Sequence, residues 1–325
     1  MVPTVSVIIP CYRQARFIEG CIESLRAQTY THWQAIIVDD GSPDNAGEIG
    51  ARVVALDGRV SFIQRPNGGP SAARNTGLRA STGAYIQFLD ADDFMKPEKL
   101  QRHVAMLDAD EELDLVYGNA WYFDHDEPNK RVRQGFGENA NDDWIANAAA
   151  LPMPPLLQLI QLNIMPICSP LFRRSVLDQA GFMNESFRAL EDWEFWIRCA
   201  NAGTKIKFDP SPETECLIRL HAGSASQNRA FMLGAEVAMR VACMGYLRDE
   251  KARRLTLACI GRLLAWREGT DRASTYRQLQ SHTIGAEERA ALWVAAYLGP
   301  GTLLHSLARP IIKRLPWHIR SLAAI

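Results

Sequence analysis

The run Ala84-Tyr85-Ile86-Gln87-Phe88-Leu89 leads without a break into Asp90-Ala91-Asp92-Asp93. A short apolar run bounded by turn formers has the pattern of a buried strand, so this one delivers three carboxylates together to the end of a sheet. Like charges crowded in this way cost stability unless a cation sits among them. A lone Asp after a strand is ordinarily a turn or capping residue. Three of them after an apolar strand read instead as half of a metal and phosphate site. A second acidic pair, Glu191-Asp192, opens the aromatic-rich helical pattern Trp193-Glu194-Phe195-Trp196 far along the chain.

The segments before the tetrad fix the architecture it belongs to. Val5 to Ile9 is strand-like and ends at Pro10, and Phe17, Ile18, Cys21, Ile22 and Leu25 then recur at helical spacing. Ala35 to Val38 is a second strand, closed by Asp39-Asp40-Gly41-Ser42-Pro43, with a helix over 45–56. Val60 to Gln64 is a third, followed by Arg65-Pro66-Asn67-Gly68-Gly69-Pro70, whose glycines permit close backbone approach to a ligand. A helix from Pro70 or Ser71 stops at Ser81-Thr82-Gly83, Pro97-Glu98 marks a further helix start, and 113–123 contains a further strand. Strand and helix in alternation predict an α/β fold with a mixed, mostly parallel sheet flanked by helices. In such sheets ligands bind outside the carboxyl ends of the strands, so the polar loops should converge there.

Beyond this frame the pattern changes. Residues 124–155 read as polar loops, 173–180 and 192–202 as short helices stopped by Gly181 and Gly203, and the stretch after Asn228 as long helical patterns running to about Leu298. The chain of 325 residues has a formal net charge of −1, so no global field recruits nucleic acid. Seven cysteines without CxxC spacing read as reduced, buried thiols of a cytoplasmic protein, with no zinc site or disulfide framework. The N-terminus has no signal-peptide pattern. The longest apolar stretch, Ala290 to Leu304, is broken by Gly299-Pro300-Gly301 and falls short of the ~20 residues of a membrane span. After Glu288 no acidic residue occurs, while Leu303, Leu307, Ile311 and Trp317 interleave with Arg309, Lys313, Arg314 and Arg320. That basic, apolar tail fits the anionic inner face of a membrane, or a helix packed on the catalytic domain.

Four blocks taken together carry a resemblance. They are Val5-Ser6-Val7-Ile8-Ile9-Pro10-Cys11-Tyr12, then Ile37-Val38-Asp39-Asp40-Gly41-Ser42, then Asn67-Gly68-Gly69-Pro70-Ser71-Ala72-Ala73-Arg74-Asn75-Thr76-Gly77, then Phe88-Leu89-Asp90-Ala91-Asp92-Asp93. In order and spacing they resemble the family 2 inverting glycosyltransferases of GT-A fold, over about residues 5–226. The resemblance implies that Asp40 accepts the base N–H of a bound uridine, that Pro10 and Tyr12 wall the nucleotide slot, and that Arg74 is a further nucleotide contact. Asp90, Ala91 and Asp92 match the DxD motif, in which the second carboxylate holds Mg²⁺ or Mn²⁺ and the first reaches the ribose or a metal-bound water. Asp192 matches the acceptor base, and Arg219 and His221 match a later block that approaches the donor diphosphate. Alone, Asp192 would read as a helix N-terminal acid favoured by the macrodipole, and His221 as a structural or surface histidine.

The chemistry needs these residue types in any case. A nucleoside diphosphate leaves with charge building on its oxygens, which a cation held by hard carboxylate oxygens stabilises. The acceptor hydroxyl must lose its proton, and one carboxylate suffices. No general acid is required, unlike in glycoside hydrolases. The sequence departs from the family in two places. Arg13 stands where an Asn commonly follows the first-block Tyr, and no Gln-x-x-Arg-Trp follows Glu191-Asp192, which favours transfer of one sugar over polymerisation. The expected donor is a UDP-linked hexose or N-acetylhexosamine, and the expected acceptor a hydroxyl of a glycan or lipid-linked glycan. A nucleotidyltransferase would need a glycine-rich phosphate loop where Pro10-Cys11-Tyr12-Arg13-Gln14 stands. A non-catalytic glycan-binding or scaffold protein would be expected to lack a metal or base carboxylate, and a dinucleotide enzyme would need GxGxxG after a strand. The expected domains are 1–228, with a nucleotide-sugar half (1–123) and an acceptor half (124–228), and a helical region over 229–325.

Overall fold

The computed structural model describes residues 4–125, 131–133, 144–221 and 229–266. The helical patterns beyond 266, the basic tail around Leu303 to Arg320 and the end of the Arg219–Ser226 block lie outside these residues. The chain divides into two compact units, one of 1–155 with 163–224, the other of 156–162 with 225–325.

In the first unit β1 (Val5–Cys11) is buried along its whole length, as expected of a parallel strand covered on both faces. It pairs in parallel with β2 (Trp33–Asp39), Ile8 opposite Ile36, and with β4 (Tyr85–Phe88), Val7 opposite Gln87. Outside β2 lies β3 (Val60–Gln64), also parallel. On the other side β9 (Leu171–Arg173) runs antiparallel between β4 and β6 (Leu115–Tyr117), and β10 (Ile206–Phe208) closes that edge parallel to β6. The resulting order is β10-β6-β9-β4-β1-β2-β3. This is the mixed, mostly parallel sheet that the alternation of strand and helix predicts.

Helices α1 (Ala15–Arg26), α2 (Ala46–Leu56) and α3 (Pro70–Ala80) are the crossovers between the first four strands. The apolar face of α1, with Phe17, Ile18, Cys21, Ile22 and Leu25, is buried at the predicted positions. α3 comes still closer to the sheet. A Cβ on Gly77 would lie 2.4 Å from Cγ2 of Ile8, so glycine here is a packing requirement of α3 on β1. After β4, a short β5 (Phe94–Met95) leads into α4 (Lys99–Ala109).

A second, four-stranded sheet has the order β5-β11-β7-β8, from β5, β11 (Cys216–Leu220), β7 (Ala120–Asp124) and β8 (Arg131–Arg133). Its β5 starts directly after the acidic tetrad, and β11 pairs with both β5 and β7, setting Arg219 opposite Phe123. The unit also holds α5 (Trp144–Ala149), α7 (Val176–Ala180) and α8 (Glu191–Asn201).

Three expectations change. The single strand read in 113–123 is two, since Gly118-Asn119 separates β6 from β7 and the two join different sheets. Arg173 ends a strand instead of starting a helix: Phe172, fully buried between β4 and β6, is fixed by its pairing partners, which a three-residue segment cannot announce by periodicity. Within 124–155, read as loops, the described residues include β8 and α5. All seven cysteines are buried and free, as read.

The second unit packs α6 (Pro155–Gln161), apart from its first residue, with α9 (Arg229–Cys243) and α10 (Glu250–Trp266). Arg240 of α9, nearly fully buried, donates to the Ile160 carbonyl at 2.6 Å and pairs with Glu236 at 2.9 Å. The orphan carbonyls at a helix end need such a partner. Among the described residues no helix is long and apolar enough to cross a membrane.

The α3–β1 contact gives a direct test. Gly77→Ala should destabilise the protein by about 1–3 kcal/mol, because Ile8 must give way in a close-packed layer. An unshifted denaturant midpoint would show that this contact does not limit the packing.

Candidate active site

The site is assembled at the carboxyl ends of β1, β2 and β4. The amide of Asp40 donates to the Cys11 carbonyl at 2.9 Å, and that of Leu89 to Ile8 at 3.1 Å, which ties the three strand ends side by side. Asp39 closes the turn after β2 by accepting from the Ser42 amide at 2.9 Å and from Gln64 Nε2 at 3.0 Å. Ser42 Oγ in turn accepts from the Arg13 amide at 3.1 Å. Pro10 is buried in β1, while Tyr12 just past it is 42% exposed. The Arg13 guanidinium stands 5.3 Å from the Tyr12 ring centroid. Arg13 has φ +57°, a left-handed conformation that Asn adopts far more readily than a long side chain. The departure from the family pattern at this position is thus a backbone cost.

Asp40 follows Asp39 with a side chain 4% exposed. Its carboxylate accepts from the Gly68 amide at 3.0 Å to each oxygen, from the Gly69 amide at 2.7 Å, and from Nη1 of Arg65. Asn67 Nδ2 donates to the Asp40 carbonyl at 2.9 Å. The glycine loop therefore hangs from Asp40. Gly69, at φ +89°, sits immediately before α3, and a Cβ there would lie 2.3 Å from Nη1 of Arg188. A guanidinium from the far side of the sequence occupies the space a side chain would take.

Arg74 lies in α3, 3% exposed, and reaches across the site with both terminal nitrogens. Nη2 meets Asp90 Oδ1 at 2.6 Å and Nη1 meets Glu191 Oε1 at 2.7 Å. The tetrad after β4 and the acidic pair that opens α8, a hundred residues apart in sequence, are thereby joined through one side chain. The terminal nitrogens of Arg74, expected as a nucleotide contact, both face carboxylates here.

Asp192 follows Glu191 in the first turn of α8, after Leu190 in the left-handed region at φ +58°. Its Oδ2 accepts from Asn163 Nδ2 at 3.1 Å, and its Oδ1 from the Trp193 amide at 2.7 Å. Burial, followed by the neighbouring Glu191 charge, pushes the Asp192 carboxyl up to about 7, against the opposing pull of Asn163 and Arg74. A carboxylate so raised is tuned to take a proton near neutral pH.

Asp92 and Asp93 turn toward β11. Asp92 Oδ2 is 2.9 Å from His221 Nε2, and Asp93 accepts from the Arg219 amide at 2.9 Å. Burial raises both carboxyls, and the adjacent carboxylates raise them further. The Arg219 guanidinium donates to the Asp92 carbonyl at 3.0 Å and lies 4.6–4.9 Å from the ring centroids of Phe17, Phe94 and Phe123. Nη1 of Arg219 is 3.3 Å from His125 Nδ1. Arg219, expected at the donor diphosphate, is thus set in an aromatic cage beneath the tetrad, whereas His221 reaches a tetrad carboxylate directly.

The donor set is tested for a metal by its own chemistry. Asp90 is 31% exposed and Asp92 11%, both are hard oxygen donors, and burial and like charge disfavour ionisation at Asp92. A Mg²⁺-type ion takes one or two carboxylates and completes its shell with substrate phosphate and water, so the residues fit. Among the described residues no three acidic, His or Cys side chains converge as an all-protein cage.

Sequence reasoning missed Asn163, Arg65 and Arg188. Asn163 and Arg188 carry no local signal and reach the site only through tertiary structure. Arg65 was legible as the residue preceding Pro66-Asn67-Gly68-Gly69.

A sheet with this strand order, a carboxylate turn after β4 and an acid at the start of α8 make the frame of the GT-A fold. Residues 6–180, over half the chain, match Glycosyl transferase family 2, and the chain belongs to that family. It is 43% identical over 116 residues to the glycosyltransferase EpsJ of Bacillus subtilis, covering 36% of this chain and 33% of that protein. It is 29% identical over 228 residues to a glycosyltransferase of Haemophilus influenzae, covering 70% of this chain and 83% of that one. The chain thus spans about a third of the length of EpsJ. Among solved structures, S. aureus TarS 1-349 in complex with UDP-GlcNAc superposes with TM-score 0.61 at 17% identity, covering 98% of this chain and 83% of that one. The mannosyltransferase PcManGT from Pyrobaculum calidifontis, in complex with GDP-Man and Mn²⁺, gives 0.60 at 18%, covering 100% and 84%.

The left-handed Arg13 yields a measurable consequence. Arg13→Asn should raise stability by roughly 1 kcal/mol, read as a higher denaturant midpoint. A fall would mean that the Arg13 contact with Tyr12 outweighs the backbone strain.

Proposed function

We propose that this enzyme transfers a single hexose or N-acetylhexosamine from a nucleoside diphosphate donor, UDP-linked, to a hydroxyl of a glycan or lipid-linked glycan, with inversion. The observation that carries the reading is the bridge of Arg74 between Asp90 and Glu191, at 2.6 and 2.7 Å. It ties the acidic turn, whose carboxylates suit a donor diphosphate, to the first turn of α8, where Asp192 beside Glu191 suits an acceptor hydroxyl.

The chain's own groups divide the work. Tyr12 and the Asp40 loop line the nucleotide end. Asp192, held by Asn163 and raised toward neutral pH, takes the acceptor proton as the acceptor oxygen attacks the anomeric carbon and the bond to the diphosphate oxygen breaks. Asn163 and the Trp193 amide fix the carboxylate so that one geometry serves the transfer. Asp90 and Asp92 would hold a divalent cation, Mg²⁺ or Mn²⁺, which supplies charge neutralisation for the departing diphosphate. His221, 2.9 Å from Asp92, orients that carboxylate. A non-catalytic relative would lack one of these groups; here the full set is present.

Release of UDP or GDP from a panel of sugar nucleotides, with and without chelator, tests the reading. UDP release that needs a divalent ion is expected; no nucleotide release with any donor would overturn it.

Asp192→Asn should lower kcat by about 10²–10⁴-fold while UDP binding by calorimetry stays unchanged. Because only the ionised carboxylate can accept a proton, kcat/KM should rise with pH and level off above about 7. A flat profile through that range, or loss of UDP binding in the variant, would remove Asp192 from the base role.

A further inference from the structure

The position of α3 is set by the sheet, since it packs on β1 with no room for a Cβ at Gly77. The segment 181–190, which leads into Asp192, runs back along this helix from its last turn to its first. Glu185 lies 3.9 Å from Arg79, and Arg188 lies against Gly69. The start of the segment is tied to α8 itself: Arg198 donates to the Ala180 carbonyl and, at 2.9 Å, to that of Phe182, while pairing with Glu194 at 2.9 Å. Segment and helix are thus held together as one piece.

That piece meets α3 through two consecutive residues. Arg74 reaches Glu191 at 2.7 Å. Asn75, 2% exposed, carries the other contact. Its Oδ1 accepts from the Met183 amide at 3.0 Å, and its Nδ2 donates to the Met183 carbonyl at 2.9 Å and to Glu185 Oε1 at 2.8 Å. A side-chain amide offers an acceptor and a donor side by side, which is what a neighbouring strand would present to Met183. Ala offers neither, and the isosteric Asp would set a carboxylate oxygen against the Met183 carbonyl and Glu185. Between the two contacts Leu190 is held at φ +58°, a conformation that a non-glycine residue keeps only where its surroundings over-determine it. The two contacts differ in their exposure to donor chemistry. Arg74 shares Asp90, whereas among the described residues the side-chain hydrogen bonds of Asn75 go to the segment alone.

We infer that Asn75 is a positioning residue for the acceptor base, registering the segment 183–190, and through it Glu191 and Asp192, on the helix packed against β1. Asn75 touches no reacting atom, so its effect is on placement, and a catalytic group displaced by about 1 Å can lose on the order of a hundredfold in rate. The pH profile carries a signature of its own. Asp192 is pushed up to about 7 by burial and by Glu191, against Asn163, Arg74 and the Trp193 amide. Freeing the segment admits water to the first turn of α8 and separates these groups, so the carboxyl falls toward the ordinary range. The acid limb of kcat/KM then moves to lower pH, which a loss of stability alone does not do.

The inference rests on the reading of Asp192 as the base, and the experiment separates the two. Rates are measured on the full chain as nucleotide release from the best donor of the panel. Asn75→Ala should lower kcat by about ten- to a hundredfold, move the acid limb down, and leave UDP binding by calorimetry unchanged. Asn75→Asp should lose at least as much, through the repulsion it introduces. Glu185→Ala removes one of the three hydrogen bonds from a side chain 47% exposed; it should act in the same direction more weakly, and it decides the matter if the Asn75 variants do not fold. Wild-type kcat with an unmoved limb in the Asn75 variants, or in Glu185→Ala where it alone folds, would overturn the positioning role alone, as would equal losses of kcat and UDP binding. Transfer retained in Asp192→Asn would overturn the base reading, and the positioning role with it.

Discussion

The arrangement of this site depends on one buried guanidinium. Arg74 sits on α3, inside the layer packed on β1 and β2, and a charge in that position is tolerated only when it is paired and hydrogen-bonded. Asp90 and Glu191 provide the pairing from two distant parts of the chain. Removing Arg74 would leave the Glu191 carboxylate without its cation partner, a loss of about 3–5 kcal/mol in comparable buried pairs. The bridge therefore fixes α8 relative to the end of β4. It also sets the charge balance: Asp90, Glu191 and Asp192 together outnumber the one cation among them. Burial and the neighbouring Glu191 charge raise the proton affinity of Asp192.

The glycine loop shows the same economy in backbone terms. Gly68 and Gly69 give their amides to Asp40, and the absence of side chains lets Arg65 and Arg188 lie against the loop. Residue 69 needs glycine twice over, for its φ of +89° and for the Arg188 nitrogen in the space of a Cβ. A loop shaped by a carboxylate on one side and guanidinium groups on the other is rigid while empty, which lowers the ordering cost of binding a nucleotide there.

What could be read from the chain follows the range over which its signals act. β1 and β2 are seven-residue apolar strands whose burial is visible in composition, and α1 declares itself by the spacing of Phe17, Ile18, Cys21, Ile22 and Leu25. The four blocks place Asp40, Arg74, Asp90 and Asp92 in one region because strand ends in a parallel sheet share an edge. β5, β9, β10 and β11 were not visible, since two to five residues carry no periodicity and their pairing is decided by partners far away. The assignment of α6 to the helical unit was hidden for the same reason. Individual contacts were least legible: nothing local marked the pairing of Arg74 with Asp90 and Glu191, and Asn163 had no local mark although it holds Asp192 at 3.1 Å.

Arg219 explains why the smaller sheet exists where it does. Within the tetrad the Asp93 amide donates to the Asp90 carbonyl at 3.0 Å. β11 supplies the rest from beneath, with the Arg219 amide on Asp93, its guanidinium on the Asp92 carbonyl, and three aromatic rings at 4.6–4.9 Å around that cation. Burial lowers the proton affinity of Arg219, opposed by Asp92 and Asp93, and the ring faces add favourable electrostatics that a purely aliphatic cage would not. Two residues further on, His221 meets the Asp92 carboxylate itself. One strand thus carries a side chain that braces the backbone of the acidic turn and leads into one that orients its exposed edge. The tetrad can stay crowded with negative charge because its scaffold, as well as any cation bound above it, is cationic.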